Sequence, residues 1–388
     1  MKPPMNIIRK KRHAGSINRI WKAMRKEWNE DELDFPLKRL SSEKKKQMLV
    51  VCGRVGSKQT ETCRRKAEQL GIDFVEETGR SWIHTKRTLA REFVPGHHSC
   101  VLLIGDNKAL PGTQISYAGG YAYTDWFLQD VDNDGCPEVP VGRVFGSSET
   151  VLYHMDPRIV DSNIAVVFDS EPGRSDIHVR ALADLGFDVQ VLESYRPDDA
   201  LLLSASEFVL QFSDGMYECR IHGTPERWAS HNSVILSHKD ASAISFKGYP
   251  VVFSEACNTA QEGPLLRAFL DQGACYVGAS LDTLNNFKPF DNWRFCAYAD
   301  GWKYGFMDLL DSYCTIGEVK VNVEKEMYAY LAPSVKKEVE ALGAGDQSKI
   351  ESDEALTMVE WLLFGNPLRK TTVGLNADYR PTRIPVDT

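Results

Sequence analysis

Two side chains in this chain are of the types that do nucleophilic chemistry, and each sits in a telling local context. His222 opens Ile221-His222-Gly223-Thr224-Pro225-Glu226-Arg227-Trp228. Cys257 closes an apolar run, Tyr249-Pro250-Val251-Val252-Phe253-Ser254-Glu255-Ala256-Cys257-Asn258-Thr259-Ala260. A cysteine attacks as its thiolate, and a neighbouring imidazole takes the thiol proton and later delivers it to a leaving amine. Glycine beside the histidine lets backbone amides approach a developing oxyanion closely, so the amides of Gly223 and Cys257 are the candidate oxyanion donors. Such chemistry requires no cofactor. The same residues also admit a plainer reading, since a cysteine on a buried strand is a small apolar residue.

The two residues lie 35 positions apart, room for one excursion and a return strand. In a parallel sheet, neighbouring strands place their C-terminal ends side by side. The pair therefore needs two adjacent parallel strands, one ending before His222 and one before Cys257. Upstream, a β-α-β rhythm supports such a sheet: strand Gln47–Val55, helix Lys58–Leu70, strand Gly71–Glu76, helix Ser81–Phe93, strand Cys100–Gly105. Strands are also expected over Val139–Val144, Asn163–Asp169, Phe187–Leu192, Glu207–Phe212 and Gly273–Ala279. Further helices are expected at Pro264–Leu270, Trp302–Leu310, Val323–Leu331 and Ala355–Leu363. Met216–Ile221 reads as an extra segment ahead of His222, either an altered local turn or a short hairpin that gates the site.

Four signatures, in order, carry a resemblance. They are Val101-Leu102-Leu103-Ile104-Gly105-Asp106 with Thr124-Asp125-Trp126-Phe127 and Asp130 to Arg143; His222-Gly223 with Trp228; Ser254-Glu255-Ala256-Cys257-Asn258-Thr259; and Leu363-Phe364-Gly365-Asn366-Pro367. Together they resemble gingipain-type cysteine peptidases, relatives of the caspases, over roughly Gln47 to Pro367. The resemblance implies an α/β, caspase-hemoglobinase-like fold of two mostly parallel sheet subdomains flanked by helices. It implies a non-catalytic subdomain at 47–155 and a catalytic one at 156–368; outside it, charge sets apart a basic arm at 1–46, and prolines with little periodicity mark an extended tail at 369–388. It also implies peptide-bond hydrolysis by the His222–Cys257 dyad. Asp169, Glu171 and Asp176 would shape a specificity pocket or orient His222; the same residues read equally as a solvated acidic loop capping the next helix. Leu281, Thr283 and Leu284 would line the substrate site, while Trp228, six residues after His222, reads equally as a pocket wall or as a core aromatic. Two alternatives stay open: an inactive caspase-like scaffold, and an effector subunit of a nucleic-acid or protein complex.

Asp130-Val131-Asp132-Asn133-Asp134-Gly135 matches the opening of a calcium loop, with carboxylates at positions 1, 3 and 5 and glycine at 6. Position 12 is Val141, so the full loop is absent. Asp130, Asp132 and Asp134 form either a structural calcium turn closed by Glu138 or Asp125, or an Asp/Asn/Gly turn held by its own hydrogen bonds. His97, His98 and Cys100 do not read as metal ligands, because adjacent strand residues point to opposite faces.

The 388 residues carry a net charge of −8 with 43% hydrophobic content, ordinary for a globular chain. Charge is unevenly placed. Residues 1–46 hold 14 Lys and Arg against 6 Asp and Glu, while the remainder is strongly acidic. Ser16–Glu30 has the apolar spacing of an amphipathic helix, either docked on the body or serving as a tether for an acidic partner or nucleic acid. No run of eighteen apolar residues suggests a membrane span, and the basic N-terminus lacks the apolar core of a secretory signal. Nine scattered cysteines without a C-x-x-C pair favour reduced thiols. The expected setting is cytoplasmic, the expected substrate a protein or peptide, and the expected control a regulatory partner or self-cleavage.

Overall fold

The computed structural model describes residues 47–117, 120–132, 134–156, 164–169, 176–184, 187–193, 215–219, 222–230, 233–243, 250–283, 292–310, 315–343 and 352–369. The basic arm with its expected helix Ser16–Glu30, the strand expected at Glu207–Phe212, and the tail beyond 369 lie outside the described residues.

In chain order the first half contains β1 (Gln47–Cys52), α1 (Ser57–Leu70), β2 (Asp73–Glu76), α2 (Trp82–Glu92) and β3 (His98–Ile104). A hairpin β4 (Thr113–Tyr117) and β5 (Gly120–Thr124), the short α3 (Trp126–Gln129), β6 (Val141–Val144) and α4 (Ser148–Met155) follow. The second half contains β7 (Ile164–Asp169), α5 (Asp176–Asp184), β8 (Asp188–Glu193), β9 (Gly215–Cys219), β10 (His222–Thr224), β11 (Arg227–Ser230) and β12 (Ser233–Ser237). It continues through α6 (His238–Ala243), β13 (Val251–Ser254), α7 (Pro264–Asp271), β14 (Cys275–Ala279), α8 (Ala299–Leu309), α9 (Ile316–Tyr330), α10 (Pro333–Gly343), α11 (Asp353–Val359) and β15 (Trp361–Phe364).

One ten-stranded sheet, ordered β2-β1-β3-β6-β15-β14-β13-β9-β7-β8, runs through both halves. The fold is thus mixed α/β with a mostly parallel central sheet flanked by helices. Its strands read as near-continuous apolar runs because helices cover both faces. β13 is buried at every residue, as are β14 and β15. The sheet has a seam. β2, β1, β3, β6 and β15 run parallel to one another, β14, β13, β9, β7 and β8 run parallel to one another, and β15 pairs antiparallel with β14. The two half-sheets therefore present their C-terminal ends to opposite edges.

Each half winds in the same way. From β1 the chain steps outward to β2 and returns to β3 on the far side of β1; from β7 it steps outward to β8 and returns to β9 on the far side of β7. Each half has its own point where the winding reverses, and crevices open at such points.

The seam strand corrects one sequence expectation. Ala355–Leu363 is not one helix: α11 stops at Val359, and Trp361-Leu362-Leu363-Phe364 is a strand. Four consecutive apolar residues have two buried faces to fill in mid-sheet, which a one-sided amphipathic helix would leave wet. Trp361 lies stacked on Phe253 of β13 and on Trp302 of α8, with centroids 5.5 and 4.6 Å apart. In the first half Arg143 is wholly buried. Its guanidinium donates to both Asp125 oxygens at 2.8 and 2.6 Å and to the carbonyls of Gly105 and Leu110 at 2.9 and 2.7 Å. That satisfies a buried cation with one bidentate carboxylate and two carbonyls. No described helix is long and apolar enough to cross a membrane.

Candidate active site

The strand before His222 is Gly215–Cys219, so Met216–Cys219 is no added hairpin. β9 pairs in parallel with β13 through Val251↔Gly215, Val252↔Met216 and Phe253↔Tyr217. Four residues past Phe253 comes Cys257, and five past Tyr217 comes His222, so both leave the sheet at the same edge. β10, which starts at His222, turns back as an antiparallel meander with β11 and β12, pairing His222 with Ala229 and Gly223 with Trp228. The His222 side chain lies outside the described residues, whereas its backbone neighbour is informative. A Cβ on Gly223 would stand 2.2 Å from Thr259 Cγ2, 2.8 Å from Ala256 Cβ and 2.8 Å from the Cys257 carbonyl oxygen. Only glycine permits the His222 strand to lie this close to the cysteine turn.

That turn is rigidly specified. Asn258 has φ of 60°, the left-handed region that asparagine tolerates better than most residues. Its amide donates to the Leu281 carbonyl at 2.9 Å, and the Ala260 amide to the Ala279 carbonyl at 3.0 Å. The Thr259 hydroxyl donates to the Ala256 carbonyl at 2.9 Å and shares a 2.9 Å hydrogen bond with Ser254. Among the described residues no acceptor engages the Cys257 amide. Cys257 itself is partly exposed, and its Sγ lies 3.3 Å from the Thr283 hydroxyl. Burial pushes the thiol above its ordinary range. The Thr283 hydrogen bond opposes this, and the carboxylates of Asp282 and Glu360 add to it.

Beneath the turn lies an ion pair that spacing did not reveal. Glu255, two residues before the cysteine, accepts from Lys303 Nζ of α8 at 2.6 Å, with Asp300 at 3.5 Å from the same ammonium; all are buried. A glutamate inside an apolar strand end requires a cationic partner, but a separation of 48 positions in the chain hides which one. Glu360, also missed, is fully buried; among the described residues neither carboxylate oxygen has a partner, and burial holds its carboxyl well above the usual range.

Of the residues expected to shape a substrate site, Thr283 reaches the cysteine. Asp169 ends β7, the neighbour of β9, and Asp176 begins α5; their side chains, together with Glu171 and Leu284, lie outside the described residues. Trp228 is not a pocket wall. It is wholly buried, packed on Phe168 and Phe269, and its indole donates to the Tyr276 hydroxyl at 3.2 Å. β11 turns that face inward, and a large apolar ring is stabilised most where water is excluded. Leu281 likewise packs into the core, leaving its carbonyl to hold Asn258.

The acidic turn folds as a cluster. One carboxylate oxygen from each of Asp130, Asp132, Asp134 and Glu138 lies within 4.8 Å of the others. Asp125 is excluded, since Arg143 occupies it. Gly135 takes φ of 86°, and the amides of Asp134, Gly135 and Cys136 donate to Asp132, Asp130 and Asp134. Lys86 reaches Asp130 Oδ2 at 3.1 Å, yet Asp130 Oδ1 and Glu138 Oε1 are buried with no partner among the described residues. Burial, then its acidic neighbours, push Glu138 up to about 8. His97 and His98 do not diverge as expected: β3 starts at His98, so His97 precedes the pleat, and both rings reach Asp73 Oδ2, at 2.9 and 2.8 Å.

Comparison with known proteins assigns no relative: no family model matches the chain, and no curated protein does.

Proposed function

We propose that this chain is a cysteine endopeptidase with a caspase-hemoglobinase-like, gingipain-type catalytic half. Cys257 is the nucleophile, His222 its acid–base partner, and the amides of Gly223 and Cys257 the oxyanion donors. The observation that supports this most is the approach of Gly223 to the 256–259 turn, because it brings the backbones of histidine and cysteine together across 35 residues of chain. The thiol proton passes to His222 as sulfur adds to the scissile carbonyl. The two amides take the oxyanion, and the imidazolium then protonates the departing amine. Water, deprotonated by the same imidazole, cleaves the thioester and regenerates the thiol.

A thiol raised by burial fits an enzyme that rests inactive until substrate or a regulatory partner reshapes the site. Among the described residues Cys52, Cys63, Cys136, Cys257 and Cys275 form no disulfide, which suits a reducing, cytoplasmic setting. The acidic turn suits a structural calcium ion: its oxygens span the separation that a common ion about 2.4 Å from each allows, and two buried oxygens have no partner among the described residues.

The test is a positional-scanning peptide library with wild type and Cys257→Ala, alongside labelling by a peptidyl ketone. Cleavage and labelling are expected in wild type and absent in the variant at unchanged melting temperature. Undiminished cleavage by Cys257→Ala rejects the assignment. Folded wild type that neither cleaves nor labels, with or without calcium, points to the inactive scaffold.

A further inference from the structure

The half-sheet without the dyad has a crevice of its own. A cavity of about 620 Å³ opens at its C-terminal edge, the opposite sheet edge from Cys257. Arg54 and Val55 line it after β1, Asp106 and Lys108 after β3, Phe145 after β6, and Arg267 comes from α7. β1 and β3 flank the point where the winding of this half reverses, the place where open α/β sheets bind small ligands. The volume is that of a small-molecule site, roughly 300–1,000 Å³.

The chemistry of the lining selects the ligand. Arg54 and Lys108 are exposed and have no carboxylate partner among the described residues; Arg54 Nη2 reaches only the Lys108 carbonyl, at 3.5 Å. Arg267 is held by its Nε, which donates to both Asp271 oxygens at 2.8 and 2.9 Å. Its two terminal amino groups lie over Gly146, where a Cβ would stand 2.6 and 2.7 Å from them. Gly146 has φ of 129°, so both the conformation and the space belong to glycine, and the guanidinium rests on bare backbone. The one acid in the wall, Asp106, turns its Oδ1 back to the amides of Lys108 and Ala109 at 3.2 and 2.9 Å. Among the described residues, three cations thus converge on a cavity whose only lining carboxylate has one oxygen engaged by its own loop. Val55, Phe145 and Val151 supply apolar wall beside them.

We propose that this cavity binds a phosphate-bearing small molecule of nucleotide size. Arg54 and Arg267 fork onto phosphate oxygens, Lys108 adds a point charge, and the apolar wall takes the uncharged part. The site is independent of the dyad and stands whether or not Cys257 is a nucleophile.

The test is calorimetric titration of the full chain, at one fixed salt concentration, with adenosine triphosphate, inorganic phosphate and adenosine. Adenosine triphosphate is expected to bind with a Kd of about 1 mM or tighter. The double variant Arg54→Ala/Lys108→Ala is expected to weaken binding by about tenfold or more. Because both side chains are exposed, its melting temperature should match wild type; Cys257→Ala should bind as wild type does. Absence of binding by wild type, equal binding of adenosine and adenosine triphosphate, or undiminished affinity in the folded double variant would each overturn the proposal.

Discussion

Gly223→Ala tests the geometry on which the active-site reading rests. The added methyl would lie 2.2 Å from Thr259 Cγ2 and 2.8 Å from both Ala256 Cβ and the Cys257 carbonyl oxygen. Carbon atoms rest about 3.5–4.0 Å apart, so β10 and the cysteine turn must separate by more than about 1 Å. Rotating Thr259 offers no escape, because its hydroxyl is tied to the Ala256 carbonyl and to Ser254. Overpacking of this kind costs about 1–3 kcal/mol. A misplacement of about 1 Å between reacting groups lowers turnover by about a hundredfold. The assays are kcat/KM on the best library peptide, the rate of Cys257 labelling and the melting temperature. Thr259→Ser removes the clashing methyl and keeps the hydroxyl, so adding it to Gly223→Ala should restore part of the lost rate and stability. Activity within about threefold of wild type, with unchanged melting, would mean that the two segments do not approach as described.

Two further outcomes follow from buried charge. Lys303→Met leaves Glu255 buried beside Asp300 without its cation, and should cost about 3–5 kcal/mol in denaturant unfolding; a loss below about 1 kcal/mol would show that the pair is not what holds the strand exit. Glu138, near 8 in the fold and near 4.5 when unfolded, binds more protons in the native state. Its contribution is full below the unfolded value and lost as pH rises through about 8, so melting temperature should fall over that window. Calcium ions compete with that proton and should stabilise the chain increasingly toward higher pH, an effect that Asp132→Asn diminishes. Melting indifferent to calcium and chelator alike across the window would remove the ion from the turn.

Much of the architecture was legible in the residues. The apolar runs at Met48, Val101, Val251 and Cys275 mark strands buried on two faces. Thr315 and Glu318 mark the start of α9 by a capping box, although periodicity alone placed that helix at Val323–Leu331. Local signals failed where neighbours in space decided. β10 and β11 are short, mainly polar strands whose alternation is visible only once Trp228 has a core to enter. Gly215–Cys219 becomes a strand through pairing with β13 and β7 on its two sides, not through propensity.

What the sequence determined by itself was the chemistry on offer: a cysteine ending an apolar strand, a histidine followed by glycine, and four acids around a glycine turn. These follow from residue type and near spacing, because strand periodicity and turn preferences act over a few residues. What only the tertiary structure decided was which distant groups meet: Gly223 with Thr259, Lys303 with Glu255, Arg267 with Gly146, and Trp361 in the seam between two oppositely directed half-sheets. Burial makes those choices, since a charge, ring or bare backbone is stable inside only against a matching partner, and sequence distance carries no record of where that partner lies.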